Sequence, residues 1–418
     1  MRRPARLGSL ALAWIGLASP GLAAPIQSVH VVDAGGGGDF TRIVDAVTNA
    51  ADGDLVLVRD GTYPNEGSIA LGTKSIAIVA DAGATVTVTV QFQIANLPAG
   101  KRVLLQGLDV NNAALSLCLD ATDCEGVLWL EDCTFVGFGA SFFDPPDPVV
   151  LDDCDDVVVR NCGIVAGTGI NGLSGGSAIR AFDTDLYVES SSLTGGKGAQ
   201  VPTTLEGDVG GNGLTMEDGS LVAADSVIAG GIGGDGGVLG LCADSGDGGI
   251  GLHLTGTSPL ATLRGVTLIG GDPGPIIGVG NCVEGDPGPS SVVDAGTLSE
   301  FTWEAYGFDV TSPVRSDELA TATFSGPTGH SVWMGLSADC STLFVPSLNG
   351  VLYHSAPITV QFVGALDGSG SAQFTTTPSL PPLVDGSVIY AQALFFDPVG
   401  SLFTLGAPSA VAILDPSF

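Results

Sequence analysis

Val103-Leu104-Leu105-Gln106-Gly107-Leu108-Asp109-Val110 decides the fold, because the same eight-residue pattern returns at 128–135, 157–164, 186–193, 221–228 and 261–268. In every copy the first, third, sixth and eighth positions are mostly apolar or small, and successive copies end 25, 29, 29, 35 and 40 residues apart. A sandwich or propeller does not yield one strand-turn-strand unit at a lengthening period. A right-handed, single-stranded parallel β-helix does, since each turn of the chain lays a strand on the turn before it, and stacking buries what one coil cannot.

Alternation within the unit says which side faces the core. Position three reads Leu105, Leu130, Val159, Val188, Ala223 and Leu263, and position eight reads Val110, Phe135, Ile164, Leu193, Ile228 and Leu268: two apolar columns along the axis. Position five reads Gly107, Asp132, Asn161, Ser190, Asp225 and Gly265, residues that bend the strand into a second sheet. After about residue 290 the pattern stops. Short alternating segments between Gly, Pro and Asp turns then predict a small antiparallel β-sandwich over 291–418. Its ending, LVDGSVIYAQALFFDP and a last short strand, loosely resembles C-terminal modules of large secreted bacterial proteins.

The chain has 418 residues with 45 Asp+Glu against 13 Lys+Arg, and 44% of it is hydrophobic, so it buries a core and is no disordered acidic tail. Its negative field repels nucleic acid. Arg2, Arg3 and Arg6, the apolar stretch 7–17 and the small residues Gly21-Leu22-Ala23-Ala24 read as an export signal over 1–24, leaving a β-helix with acidic, Gly-rich loops over 25–290. No later segment holds eighteen consecutive apolar residues, so the expectation is a monomeric protein without a membrane span, secreted, on the cell surface or in the periplasm. Disulfides are permitted there.

Upstream of the coils, Asp39-Phe40-Thr41 is placed to cap a helix running to about Ala50, with Ile43, Val44, Ala46 and Val47 on one face, closing the open first coil. The run GGGGDFTRIVDAVTNAADGDLVLVRDGTYPNEGSIALGTKSIAIVADAGA (35–84) resembles the start of pectin-lyase-like β-helix proteins, pectinesterases in particular. That resemblance implies the β-helix fold. The pectinesterase activity it would imply needs two carboxylates, amide side chains for an oxyanion and an arginine, in QDTL-like and DFIFG-like motifs that this sequence does not hold; the acid of the G-x-Y-x-E turn is displaced by one, to Glu66. Pectate lyase and polygalacturonase patterns do not appear either. The expectation is therefore a non-catalytic role, binding polysaccharide or a cell-surface glycan or acting as a structural or adhesive module. A polysaccharide lyase, glycosidase or pectinesterase-like hydrolase using acids of the outward face is the alternative.

Three sets of candidate residues follow. Trp129 and Tyr187, two coils apart in the outward column at position two, stand about 10 Å apart along the axis at sheet spacing, suiting a stack on alternate sugars; Glu131, Arg160 and Glu189 at position four would hydrogen-bond the chain. A loop or the C-terminal module covering this column is the competing expectation. The Gly-rich excursions after the fourth, fifth and sixth coils carry Asp235, Asp244, Asp247 and Asp272 as candidate Ca²⁺ ligands; 230–238 nearly matches a calcium-binding nonapeptide, failing at Gly237. No other cofactor is expected. Of eight cysteines, Cys133 and Cys162 share position six of adjacent coils, and Cys242 and Cys282 each follow a coil by fourteen residues; both pairs are candidate disulfides.

Overall fold

The computed structural model describes residues 24–26, 28–64, 67–112, 117–138, 147–170, 172–200, 206–237, 242–277, 280–301 and 306–418. Apart from Ala24, the expected export signal lies outside them, as does Glu66 of the displaced turn motif.

Three ladders of parallel strands run side by side, consistent with a parallel β-helix. The first contains Val29–Val32, Asp54–Val58, Ile76–Ala80, Arg102–Gln106, the second halves of Leu119–Glu131 and Val149–Arg160, and then Asp185–Glu189, Ser220–Ala224, Leu260–Arg264 and Thr297–Phe301. The second runs from Gly61–Tyr63 to Thr267–Ile269, and the third from Ile69–Ala70 to Ser291–Val293. Leu105, Leu130, Val159, Val188, Ala223 and Leu263 are register partners in succession, as are Val110, Phe135, Ile164, Leu193, Ile228 and Leu268. Both columns read from the sequence are thus real. All six residues at position five have positive φ, between 46° and 73°, which is how one strand turns into the next ladder. The ladder runs on past 290 to Phe301.

The helix is Ile43–Asn49, with Ile43, Ala46 and Val47 buried in the core of the coils. The N-cap is Arg42 and not Asp39, whose carboxylate accepts the Val31 N–H; Arg42 makes no side-chain cap bond and pairs with Asp45 of the first turn at 3.6 Å. Lys74 serves the other end, donating to the carbonyls of Val47 and Ala50 at 2.5 and 2.7 Å.

Beyond the coils, a six-stranded, mainly antiparallel sheet contains Ser331–Ser337, Thr359–Ala365, Gly386–Asp397 and Leu402–Leu414, and takes Ala24–Ile26 against Gly386–Asp397. Gly307–Val310, Ala320–Ser325 and Ser371–Thr376 form a second sheet, and the two share a core that includes Phe308, Phe324, Val332 and Phe395.

The described parts of the Gly-rich excursions are hydrogen-bonded arms. After each coil the chain runs out along one layer (165–170, 194–199, 229–236, 269–276) and returns along another (174–178, 206–213, 244–251, 283–290). Exposure repeats every three residues: Val165 and Thr168 are exposed with buried residues between them, and so are Asp244 and Asp247. That period is a polyproline-II helix's, which has no internal hydrogen bonds and must find partners outside itself. Gly230, Gly233 and Gly236 donate to the carbonyls of Ile269, Asp272 and Pro275 in the next outward arm, while Gly231 and Gly234 donate across to Gly211 and Asp208 of a return arm. A relay from Gly288 through Gly271, Gly249, Gly231, Gly211 and Gly196 to Gly176 links the layers at 2.7–2.9 Å. Glycine is required here for approach and not for φ, since a Cβ on Gly231 would meet the Gly196 carbonyl oxygen at 1.9 Å.

The repeated Gly-Asp-Pro-Gly-Pro motif ends this slab. Pro273 occupies the position equivalent to Gly233, and Pro287 the position equivalent to Gly248, both donors toward the next coil. In the last coil those donors would point at nothing, and proline removes them.

Candidate functional site

The structure brings Trp129, Glu131, Arg160, Tyr187 and Glu189 together in the register expected, but beneath the C-terminal sheets. All five are buried, Trp129 at 1% exposure and Glu131 at 0%. The indole of Trp129 packs against Tyr353 and Tyr390, with ring centroids 5.9 and 5.0 Å away, and Tyr187 packs on Tyr353. Glu131 accepts hydrogen bonds from Trp129 Nε1 (2.8 Å), Arg160 Nη1 (2.5 Å), Ser409 Oγ (2.8 Å) and the Ala410 amide (2.7 Å). Arg160 also donates to the Phe308 carbonyl at 2.7 Å, and Tyr353 donates to Glu189 at 3.2 Å. Burial holds the Glu131 carboxyl above its usual range despite Arg160, and pushes Glu189 up to about 7. The expected open glycan groove is therefore corrected: this column is the seat of the C-terminal sheets, its polar groups spent on one another and on them. Alternation told which residues leave the coil, while what covers them depends on strands some 200 residues later.

The four candidate calcium ligands are not brought together. Asp235 and Asp272 lie in the outgoing layer, Asp244 and Asp247 in the return layer. Asp235 pairs with Lys197, Asp244 accepts the Val283 N–H at 2.8 Å and Asp247 accepts the Asp286 N–H at 2.7 Å. Among the described residues no group of three or more Asp, Glu, His or Cys is placed to hold a metal ion. The nonapeptide-like glycines serve the slab.

Cys242 and Cys282 form a disulfide, with Cα atoms 5.4 Å apart. Cys133 and Cys162 remain thiols, so the second expected bridge is corrected. Each bonds instead to the backbone carbonyl two residues before it, Glu131 or Arg160, at 3.2 Å. Cys124 and Cys154 are register partners and are also free.

Two open features escaped the sequence reading. The strands that seal the coils with Tyr390, Ala410 and Ala412 continue beyond them, and there the same sheet face carries Trp333, Phe362, Phe396 and Phe403. The rings of Trp333 and Phe362 are 5.2 Å apart, those of Phe396 and Phe403 4.8 Å, and Phe362 is 50% exposed. Rings alternating with Val332, Met334 and Phe395 were the available signal. The second feature is a cleft of about 400 Å³ between the coil turns at Asn161 and Ser190 and the three-stranded sheet. Elsewhere, Asp156 stands beside Asp185 of the next coil, and burial, then Asp185 and Asp155, push its carboxyl up to about 7; Thr342 donates to it.

No known family model matches the chain, and no curated protein matches it.

Proposed function

We propose that the chain is a secreted or cell-surface protein without catalysis of its own, whose right-handed, pectin-lyase-like β-helix, closed by the N-terminal helix, is a rigid base for a C-terminal β-sandwich that binds neutral polysaccharide. The four-ring patch, with Phe362 and Phe403 exposed and Trp333 and Phe396 half-buried, carries this reading: such rings offer apolar faces to the C–H faces of sugars, and an apolar cluster open on an acidic protein marks a contact surface. Export is supported by the N-terminal residue pattern and by the Cys242–Cys282 disulfide. The acidic surface disfavours polyanionic glycans.

Retention of the purified chain on insoluble neutral polysaccharides, with reducing sugar measured in the same tubes, tests this. Retention that falls at least tenfold in Trp333→Ala/Phe362→Ala, with no sugar released, is expected; retention unchanged by that variant sinks the reading. The polysaccharide-active enzyme remains the second reading because of Asp156, a carboxyl poised near neutrality beside another acid. Sugar release abolished by Asp156→Asn would establish it.

A further inference from the structure

The cleft beside Arg160 is built differently from the aromatic patch. Its floor is the outer face of the three-stranded sheet, where Asp309, Thr323 and Gln373 are register partners in one row and Gly307, Ser325 and Ser371 in another. Neighbouring strands lie about 4.8 Å apart, so the floor is a grid of hydroxyl, amide and carboxylate groups at that spacing. Its wall is the coil turn, where Asn161 and Ser190 are held at positive φ by backbone bonds to the next coil. Phe308 and Phe324 turn their rings into the core, so the floor presents no open aromatic face.

Arg160 contributes to the lining with its charge already taken up. Its guanidinium is 4% exposed, bonded to Glu131, to the Phe308 carbonyl and to Asp309 at 3.2 Å, yet its Nε–H finds no partner among the described residues. A buried donor without a partner is costly and uncommon. The cleft volume is within the range of small-molecule sites.

The geometry points to a second binding site, in which this cleft takes a neutral, hydroxyl-rich ligand, a short soluble oligosaccharide. The groups present are mostly uncharged donors and acceptors, which match hydroxyls. A uronate or phosphate would meet Asp309 in a strongly acidic molecule with no free cation among the described lining residues, and Asp309, Thr323, Gln373, Ser325 and Ser371 break up the apolar surface that a lipid would need. The ligand class rests on the saccharide reading above, but the site is distinct from the aromatic patch.

Calorimetric titration of the full chain with xylohexaose, cellohexaose, mannohexaose and maltohexaose, with trigalacturonate and spermine as charged comparators, tests the assignment. At least one neutral hexaose should bind, at least tenfold more weakly in Thr323→Val/Gln373→Ala and not at all in Ser371→Trp, which fills the cleft, while Trp333→Ala leaves it unchanged. These substitutions lie at strand positions on the sheet's outer face, and matching melting curves confirm that the variants fold. Hexaose binding that is lost in Trp333→Ala and intact in the cleft variants overturns the inference and leaves the proposed function standing. Retention on insoluble polysaccharide without any hexaose binding does the same. Binding of spermine or trigalacturonate alone, sensitive to the cleft variants, overturns the ligand class; no retention and no hexaose binding removes both readings.

Discussion

Gly231→Ala tests whether the Gly-rich layers are a packed slab. The new Cβ would stand 1.9 Å from the Gly196 carbonyl oxygen and 2.6 Å from its carbon, and since real Cβ atoms do not come nearer than 3.0 Å, the arms must part by about 1 Å. The obstacle is backbone, so no side chain can swing aside. Parting breaks the bonds that join those two arms, from Gly195 to the Ala229 carbonyl (2.9 Å) and from Gly198 to the Ile232 carbonyl (2.8 Å). Two buried bonds at about 1 kcal/mol each, with about 1–3 kcal/mol for overpacking, give a loss of about 3–5 kcal/mol. Gly163→Ala is the control: no atom lies within 4 Å of its Cβ and its φ is not positive, so it should be neutral or stabilising by under about 1 kcal/mol. Urea unfolding of both variants measures the difference. If Gly231→Ala lies within 1 kcal/mol of Gly163→Ala, the arms are loose loops and the hydrogen-bonded slab is wrong.

Glu131→Ala should cost about 3–5 kcal/mol, because it leaves Trp129 Nε1 without its acceptor and Arg160 without its buried counter-charge under the C-terminal sheets; limited proteolysis should then cut between the coils and those sheets, and unchanged resistance would contradict the seat described here. Stability should fall as pH rises from about 4.5 to 7, because Asp156 and Glu189, both held up to about 7, keep protons in the fold that the unfolded chain has released, and His354 opposes only one of them. His354 is held down to about 4 by burial against 6.5 unfolded, so falling pH through that window protonates the unfolded chain first and removes about 3 kcal/mol; Glu189, held up to about 7 by burial against 4.5 unfolded, keeps its proton in the fold, and its share is lost as pH rises from 4.5 through 7. Melting temperature should therefore fall over that range, less steeply in Glu189→Gln; a melting temperature that rises from pH 4.5 to 7 would contradict the reasoning. Reducing Cys242–Cys282, which closes a loop of 40 residues, should cost about 4 kcal/mol by chain entropy; an unchanged urea midpoint would mean that the surrounding slab already fixes those arms.

The coils were legible because their information is local and repeated. Strand alternation, the stacked columns at positions three and eight, and the turn residue at position five each depend on a few neighbouring residues, and six copies let them reinforce one another. Cys242 and Cys282 were legible for the same reason, through equal offsets from adjacent coils. Cys133 and Cys162 shared a register too, but register sets only the backbone spacing, and each thiol turns to a carbonyl of its own strand.

The slab lay half in view. Its glycines and its repeated Gly-Asp-Pro-Gly-Pro were conspicuous, yet a polyproline-II arm has no internal hydrogen bonds, so a single arm reads the same as a flexible acidic loop. Only the neighbouring arms, 20 to 40 residues away, make it a layer and separate Asp235 and Asp272 from Asp244 and Asp247. Trp129, Glu131, Arg160, Tyr187 and Glu189 show the limit most clearly. By itself the sequence determined that these side chains leave the coil on one face and in one column, because side-chain direction in a strand has period two. Whether that face meets water or Tyr353, Tyr390 and Ser409 was decided only by the tertiary structure, because burial depends on which distant strands dock there, and no local period encodes it.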